Sequence, residues 1–203
     1  MATTRSGPTK ARILAAASQL LLEQGTTSLS VRAIAQQAGV STMGIYSHFD
    51  GKQGVFDALY REGFERLARA LERALKIPDP REAARLGTQL YLELAQDYES
   101  HYRLMFGERA GRFEPSETAR ADALRAFELL VQLMAKLMPV RNSGATHLCH
   151  AVAFWAQLHG YVSLQQQMLP HLPAQQDWDK QVLRTMDDMI ERLAQGDVPG
   201  AQR

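Results

Sequence analysis

Thr42, Met43, Gly44, Tyr46, His48 and Lys52 are a set that offers hydroxyls, a thioether, a bare backbone, an imidazole and a cation, and the only carboxylate within their span is Asp50. Side chains of these types donate to phosphate oxygens and reach base edges, and a glycine lets a backbone come close to a polymer surface. That chemistry needs a rigid mount, and the flanking sequence supplies one. Ser30 and Ser41 each stand directly before a helix-period apolar pattern, where a hydroxyl can accept an otherwise orphaned backbone N–H. Val31, Ile34, Ala35 and Ala38 share one helix face, and Ile45 and Phe49 repeat the i, i+4 relation on the next. Gly39 between them can end a helix in the left-handed conformation, and Val40 is placed to pack on Ile45 as a hydrophobic staple. Two short helices joined through a glycine-containing turn make a helix-turn-helix, with a crossing of roughly 90–120°. An ordinary helical hairpin is the alternative, and the outward-facing residues favour nucleic acid over it.

The segment from 9 to 56 resembles the one-component tetracycline-repressor (TetR) type of bacterial transcription regulators. The resemblance is carried by Leu21-Leu22-Glu23-Gln24-Gly25, by Ser30-Val31-Arg32-Ala33-Ile34-Ala35, by Ala38-Gly39-Val40-Ser41, and by Ile45-Tyr46-Ser47-His48-Phe49 followed by Lys52. It implies that Thr42, Met43 and Gly44 face the major groove while Ser30, Tyr46, His48 and Lys52 hold phosphates. The chain departs from the family pattern at Gly44, where a small hydroxyl or Ala is frequent, at Gly51, and at Gln53-Gly54. Farther on, Trp155, His159 and Gly160 are similar to the Trp…His-Gly signature of one carboxy-terminal class in that family, and Tyr102 to Gly107 resembles the same class.

Composition is compatible with that reading. A chain of 203 residues, 45% of them hydrophobic, can bury a real core in one or two domains. The net charge of +1 averages unlike parts: up to residue 53, Arg5, Lys10, Arg12, Arg32 and Lys52 face only Glu23 and Asp50. The positive excess therefore sits with the helix-turn-helix, and an amino-terminal arm over residues 1–8, with Arg5, is a candidate for an adjacent minor groove. No apolar secretory segment opens the sequence and no run approaches the ~18 apolar residues of a membrane helix, so the expected address is cytoplasmic, with no membrane partner. Cys149, the single cysteine, lies beside Ala151 and Val152 and is expected to pack as a small buried hydrophobe.

Beyond the turn the pattern is helical throughout, which predicts an all-α fold of about nine helices. An amino-terminal DNA-binding domain is expected over residues 1–51, and a helical bundle for effector binding and dimerisation over 52–203. Ile13, Ala16, Ala17, Leu20 and Leu21 give the first helix its face, and Gly25 ends it. Lys52 to about Leu75 is a long helix with Phe56, Leu59, Tyr60, Phe64, Leu67 and Leu71 inward, stopped by Pro78 and Pro80. Further helices are expected near 81–99, 101–106, 116–138, 143–168 and 178–194.

Catalytic and metal signatures are missing from the sequence. There is no Glu-x-x-His pair for a bundle metal site, no Gly-x-Ser-x-Gly elbow and no phosphate-cradling Gly-rich loop, and His147 and His150 at i, i+3 lack a nearby carboxylate. The expectation is a protein without enzyme activity, metal or cofactor. Its expected partners are double-stranded operator DNA, a small apolar effector and a second copy of the chain. Candidate effector-pocket residues are Tyr91, Met105, Phe106, Phe127, Met134, Trp155 and His159, with plain core packing as the alternative for each. Val182, Met186, Met189, Ile190 and Leu193 form an apolar stripe expected, with the preceding long helix over 143–168, to pair across a two-fold axis, against intramolecular packing as the alternative. Gly160 is expected to let another helix approach. Repression relieved by an effector is the expected mode; activation, an architectural role or a ligand-binding bundle without DNA affinity are the alternatives.

Overall fold

A computed structural model describes residues 6–106, 113–139, 143–168 and 178–196. Among the described residues there are nine helices and no strand: α1 (Ser6–Ser28), α2 (Val31–Ala38), α3 (Thr42–Phe49), α4 (Lys52–Leu75), α5 (Pro80–Asp97), α6 (Glu99–Phe106), α7 (Glu117–Leu137), α8 (Gly144–Gln167) and α9 (Trp178–Gln195). The expected arm at residues 1–8 lies largely outside the described residues. The helices group into two compact units, Met1–Arg66 with Asp97–Leu124, and Leu67–Gln96 with Arg125–Arg203.

In the first unit α1 packs on α2, α3 and α6. Ile13, Ala17 and Leu21 of α1, Ile34 and Ala35 of α2 and Ile45 of α3 are buried, as their helical spacing requires. Gly25 interrupts α1 with φ 69°, so the regular part of the first helix stops where the sequence places its end. The inward face expected for the fourth helix is buried at all six positions, Phe56, Leu59, Tyr60, Phe64, Leu67 and Leu71. Two glycines set how closely helices meet. A Cβ at Gly54 would lie inside the Phe49 carbonyl, so α4 can begin directly behind α3 only with glycine there. A Cβ at Gly63 would collide with the Met105 side chain, which rests on α4 from α6.

The second unit begins with a strong start signal: Asp79 accepts the Glu82 N–H at 2.8 Å through Oδ1, and Pro80 occupies the first helical position, where a missing N–H costs nothing. Charged contacts join α5 to α9, Arg81 to Glu191 at 3.0 Å, and Arg85 to Asp187 at 2.9 Å and to Glu191 at 2.8 Å. Beneath them Val182, Met186, Ile190 and Leu193 are buried within their own chain. Four of the five stripe residues expected at a dimer axis are thus core of the protomer, packed against α5 and α8, and Met189 is half-buried. Tyr161 of α8 meets Trp178 of α9 edge to face at 5.5 Å, part of the same packing.

Two further expectations change in α8. Cys149 is exposed, not buried, because Ala151, Phe154, Leu158 and Val162 point the inward face elsewhere. Gly160 has no atom within 4 Å of where its Cβ would stand, so among the described residues the chain itself does not supply the expected approach of another helix there. The outward face of α8 carries Leu148, Cys149, Val152, Ala153, Ala156, Leu164 and Met168, all exposed and all uncharged.

Candidate nucleic-acid interface

The mount for the candidate residues is built from four caps. Ser30 Oγ accepts the Ala33 N–H at 3.1 Å, so this hydroxyl is engaged in starting α2. Gly39 ends α2 at φ 62°, ψ 42°, and Val40 N–H returns to the Ala35 carbonyl at 3.0 Å. Ser41 Oγ accepts the Gly44 N–H at 3.1 Å and starts α3, and Asp50 closes it in the left-handed region with its N–H on the Tyr46 carbonyl. The chain is thus fixed on both sides of an eight-residue helix whose single buried side chain is Ile45.

Of the residues the sequence singles out, Ser30, Thr42, Met43 and Tyr46 are exposed, and Gly44, His48 and Lys52 are half-buried. Met43 is 72% exposed and Tyr46 is 53% exposed, two large side chains presented on one eight-residue helix. Thr42 is exposed as well, and His48 is half-buried in the last turn of α3. A methyl at Gly44 would meet only Ser41 Oγ and Val40 at ordinary contact distances of 3.6 Å and beyond, so nothing inside the chain demands a glycine there. Tyr46 lies over Gly51, whose Cβ would stand 3.2 Å from the ring, and Gly51 has φ 89°. That departure from the family pattern has an internal cause: the ring and the backbone angle both require glycine.

Two cations behave differently from a bare count of charges. Lys52 donates to the Thr26 carbonyl at 2.9 Å and lies 5.2 Å from the Phe56 ring centre, and burial lowers its pKa. It therefore ties the start of α4 to the end of α1. Arg12 of α1 donates through Nη2 to the Ala38 carbonyl at 2.5 Å and the Gly39 carbonyl at 3.0 Å. Both attachments join residues 26 or 27 apart in the chain and leave no local mark in the sequence.

Beneath the head, the first unit holds a polar cluster that sequence reasoning missed. Ser18 of α1 shares a hydrogen bond with Ser100 of α6, Ser100 Oγ lies 3.3 Å from His101 Nδ1, and Glu62 and Arg66 of α4 pair at 2.6 Å. His101 Nε2 stands 3.6 Å from Glu62, and Arg66 stacks on Tyr98 with its guanidinium 4.0 Å from the ring centre. Burial pushes the His101 pKa below its ordinary value, and the Glu62 charge only partly restores it. Burial also disfavours the Glu62 carboxylate, but the Arg66 hydrogen bond and the His101 and Arg66 charges outweigh that, and its pKa is lowered.

The seven candidate effector residues separate into two groups. Tyr91, Phe127, Met134, Trp155 and His159 belong to the second unit, and Met105 and Phe106 to the first. Trp155 donates from Nε1 to Tyr91 Oη at 3.2 Å, with Phe127 and His159 each 6.2 Å from its ring, and Met134 is fully buried. Burial lowers the His159 pKa. Met105 lies against Gly63, and Phe106 meets Phe64 and Tyr102 edge to face. A small cavity of about 100 Å³ opens between α5 and α9, lined by Arg85, Thr88, Gln89, Leu183, Met186, Asp187 and Ile190, none of them among the seven. Among the described residues no helix is long and apolar enough to cross a membrane, and no three His, Cys, Asp or Glu side chains converge as metal ligands would.

Comparison with known proteins agrees with this architecture. Residues 13–59 match the family model for bacterial regulatory proteins of the tetR family, and residues 84–193 match that for the tetracyclin repressor-like C-terminal domain. The HTH-type transcriptional activator FasR of Mycolicibacterium smegmatis is 26% identical over 98 residues, 48% of this chain and 45% of that protein, so the match spans less than half of its length. A protein of unknown function from Rhodococcus sp. RHA1 shares the fold at a TM-score of 0.74 with 25% identity, over 96% of this chain and all of that one. AibR, solved with isovaleryl coenzyme A and operator DNA, superposes at 0.67 with 19% identity over 89% of this chain and 97% of its own. With the second domain model covering more than half of the residues and the helix-turn-helix matched in front of it, the chain belongs to the TetR family of transcriptional regulators and carries that family's DNA-binding helix-turn-helix.

Proposed function

We propose that the protein is a homodimeric repressor that reads a palindromic operator with α3 and leaves it when a small apolar effector binds. The observation that carries this reading is the outward face of α3, where Met43 and Tyr46 are held exposed by caps at both ends of the helix. In the bound state Thr42 and Met43 meet base edges, Met43 against a thymine methyl, and the chain passes closely at Gly44. Ser30, Tyr46, His48 and Lys52 contact phosphates, with the Lys52 charge already oriented by Thr26.

The outward face of α8 supports the dimer. Its centre is small, Cys149, Ala153, Ala156 and Gly160, and larger apolar side chains flank it, so a second copy can lie close along the helix and bury Leu148, Val152, Leu164 and Met168. Two α3 helices then enter successive major grooves about 34–36 Å apart. An effector seated on the aromatic group of Tyr91, Phe127, Trp155 and His159 acts by favouring a different spacing, and couplings of about 1–3 kcal/mol correspond to roughly 5–150-fold in affinity. AibR supports the pairing of an acyl thioester and a duplex on one such fold.

Selection of duplexes from a random library by the purified protein tests the reading. A palindromic consensus bound with steep salt dependence is the expected result, and binding that does not distinguish any duplex from random competitor would reject it. Placing the consensus before a reporter gene then separates repression from activation, the role that FasR's name gives to that relative.

A further inference from the structure

We infer that Arg12 is a positioning residue for the reading helix: its guanidinium locks the turn between α2 and α3 and so sets where Thr42 and Met43 stand. This rests on the DNA-reading role of α3 proposed above. A helix ends with carbonyls that have no intrahelical partner and with a partial negative charge, and a cation there satisfies both. Arg12 reaches that end from α1, bonding the last carbonyl of α2 at 2.5 Å and the carbonyl of the turn glycine at 3.0 Å. Its anchor is firm, because the neighbouring Ile13 is fully buried.

Gly39 is shaped to receive it. A Cβ there would stand 3.0 Å from Arg12 Nη2, and φ is 62°, so the residue that bends the chain also leaves the space the guanidinium fills. Only Val40 and Ser41 separate this clasp from the first residue of α3, so any change in the turn passes directly to the exposed groups. Recognition geometry tolerates about 0.5 Å and 10–20° before contacts are lost. In a count of charges Arg12 is one more cation for phosphates, and the two roles give opposite signatures. A phosphate contact supplies affinity on every sequence and a share of the salt dependence. A positioning contact supplies discrimination and no counterion release.

Arg12→Met keeps the stem and removes the donors; Arg12→Lys keeps a cation able to reach one carbonyl. Affinity of the full-length protein is measured for the selected duplex and for the same duplex with the base pairs of one half-site scrambled, from 50 to 200 mM salt, at temperatures where melting curves show each variant folded. The expected result for Arg12→Met is a roughly tenfold loss in the ratio of the two affinities at unchanged salt slope, with partial recovery in Arg12→Lys. An unchanged ratio with a slope shallower by about 0.9 makes Arg12 a phosphate ligand and overturns the assignment. Unchanged ratio and unchanged slope overturn it equally. Amide exchange in the free protein provides an arm without DNA: Arg12→Met is expected to speed exchange at Val40 and Gly44 several-fold while α8 amides stay as in wild type, and no change there overturns the clasp. Wild-type protein that selects no duplex rejects the DNA-reading proposal by itself, and the exchange result then still reports on the turn.

Discussion

The outward faces of α3 and α8 are both exposed and both rich in large side chains, yet they are surfaces of different kinds. On α3, Thr42, Met43 and Tyr46 combine polar and apolar groups on a short helix capped at each end. On α8, a long helix, the exposed residues from Leu148 to Ala156 are Leu148, Cys149, Val152, Ala153 and Ala156, with no polar side chain beyond the thiol of Cys149. A polar and charged polymer suits the first, and another apolar surface suits the second. The lesson is that exposure alone does not name a partner, whereas the mixture of groups at the exposed positions does.

The largest effect is expected from breaking the α8 face. Ala156→Arg places a charge where a second copy would lie, and sedimentation at micromolar concentration should show monomer in place of dimer. Because two linked half-sites gain roughly 10²–10⁴ over one, operator affinity should fall by at least about a hundredfold while α3 itself is untouched. A variant that remains dimeric with full affinity would remove α8 from the interface.

Changing α3 should alter preference more than strength. Met43→Ala is expected to cost about 1–3 kcal/mol at the base pair it faces and to leave binding to unrelated duplexes unaffected, as read by repeating the selection with the variant. Gly44→Ala separates folding from function: the chain has room for the methyl, so helix propensity should raise stability by up to about 1 kcal/mol in thermal melts, while close approach to the duplex is lost and operator affinity drops. Higher affinity in that variant would show that the backbone at position 44 does not approach DNA.

The smallest effect belongs to neither face. Burial lowers the His101 pKa, so the unfolded chain takes up a proton more readily than the folded one. The stability this gives is fully present above about pH 6.5 and is lost as the pH falls below it toward the lower folded value. The half-buried His159 and His150 shift in the same direction, so His101→Asn should make the fall in melting temperature shallower without abolishing it.

Much of the head was legible in the sequence because its signals are local. Ser30, Ser41 and Gly39 act on atoms within five residues of themselves, and the structure places them as caps. The inward face of α4 followed from spacing in the same way, and Pro80, read there as a stop after α4, also opens α5. What stayed hidden depends on partners distant in the chain. Periodicity marked the stripe on α9 as apolar but could not say that α5 and α8 cover it. The same limit explains Cys149, whose side of α8 is decided by Phe154 and Leu158.

Gly54, whose missing side chain lets the Phe49 carbonyl sit against α4, leaves no slack between the two helices it joins. A corner this tight behaves as a welded joint and not as a hinge: a rotation of the first turns of α4 must carry α3 along with it. Lengthening that corner by one residue is therefore expected to let α3 and the start of α4 move independently.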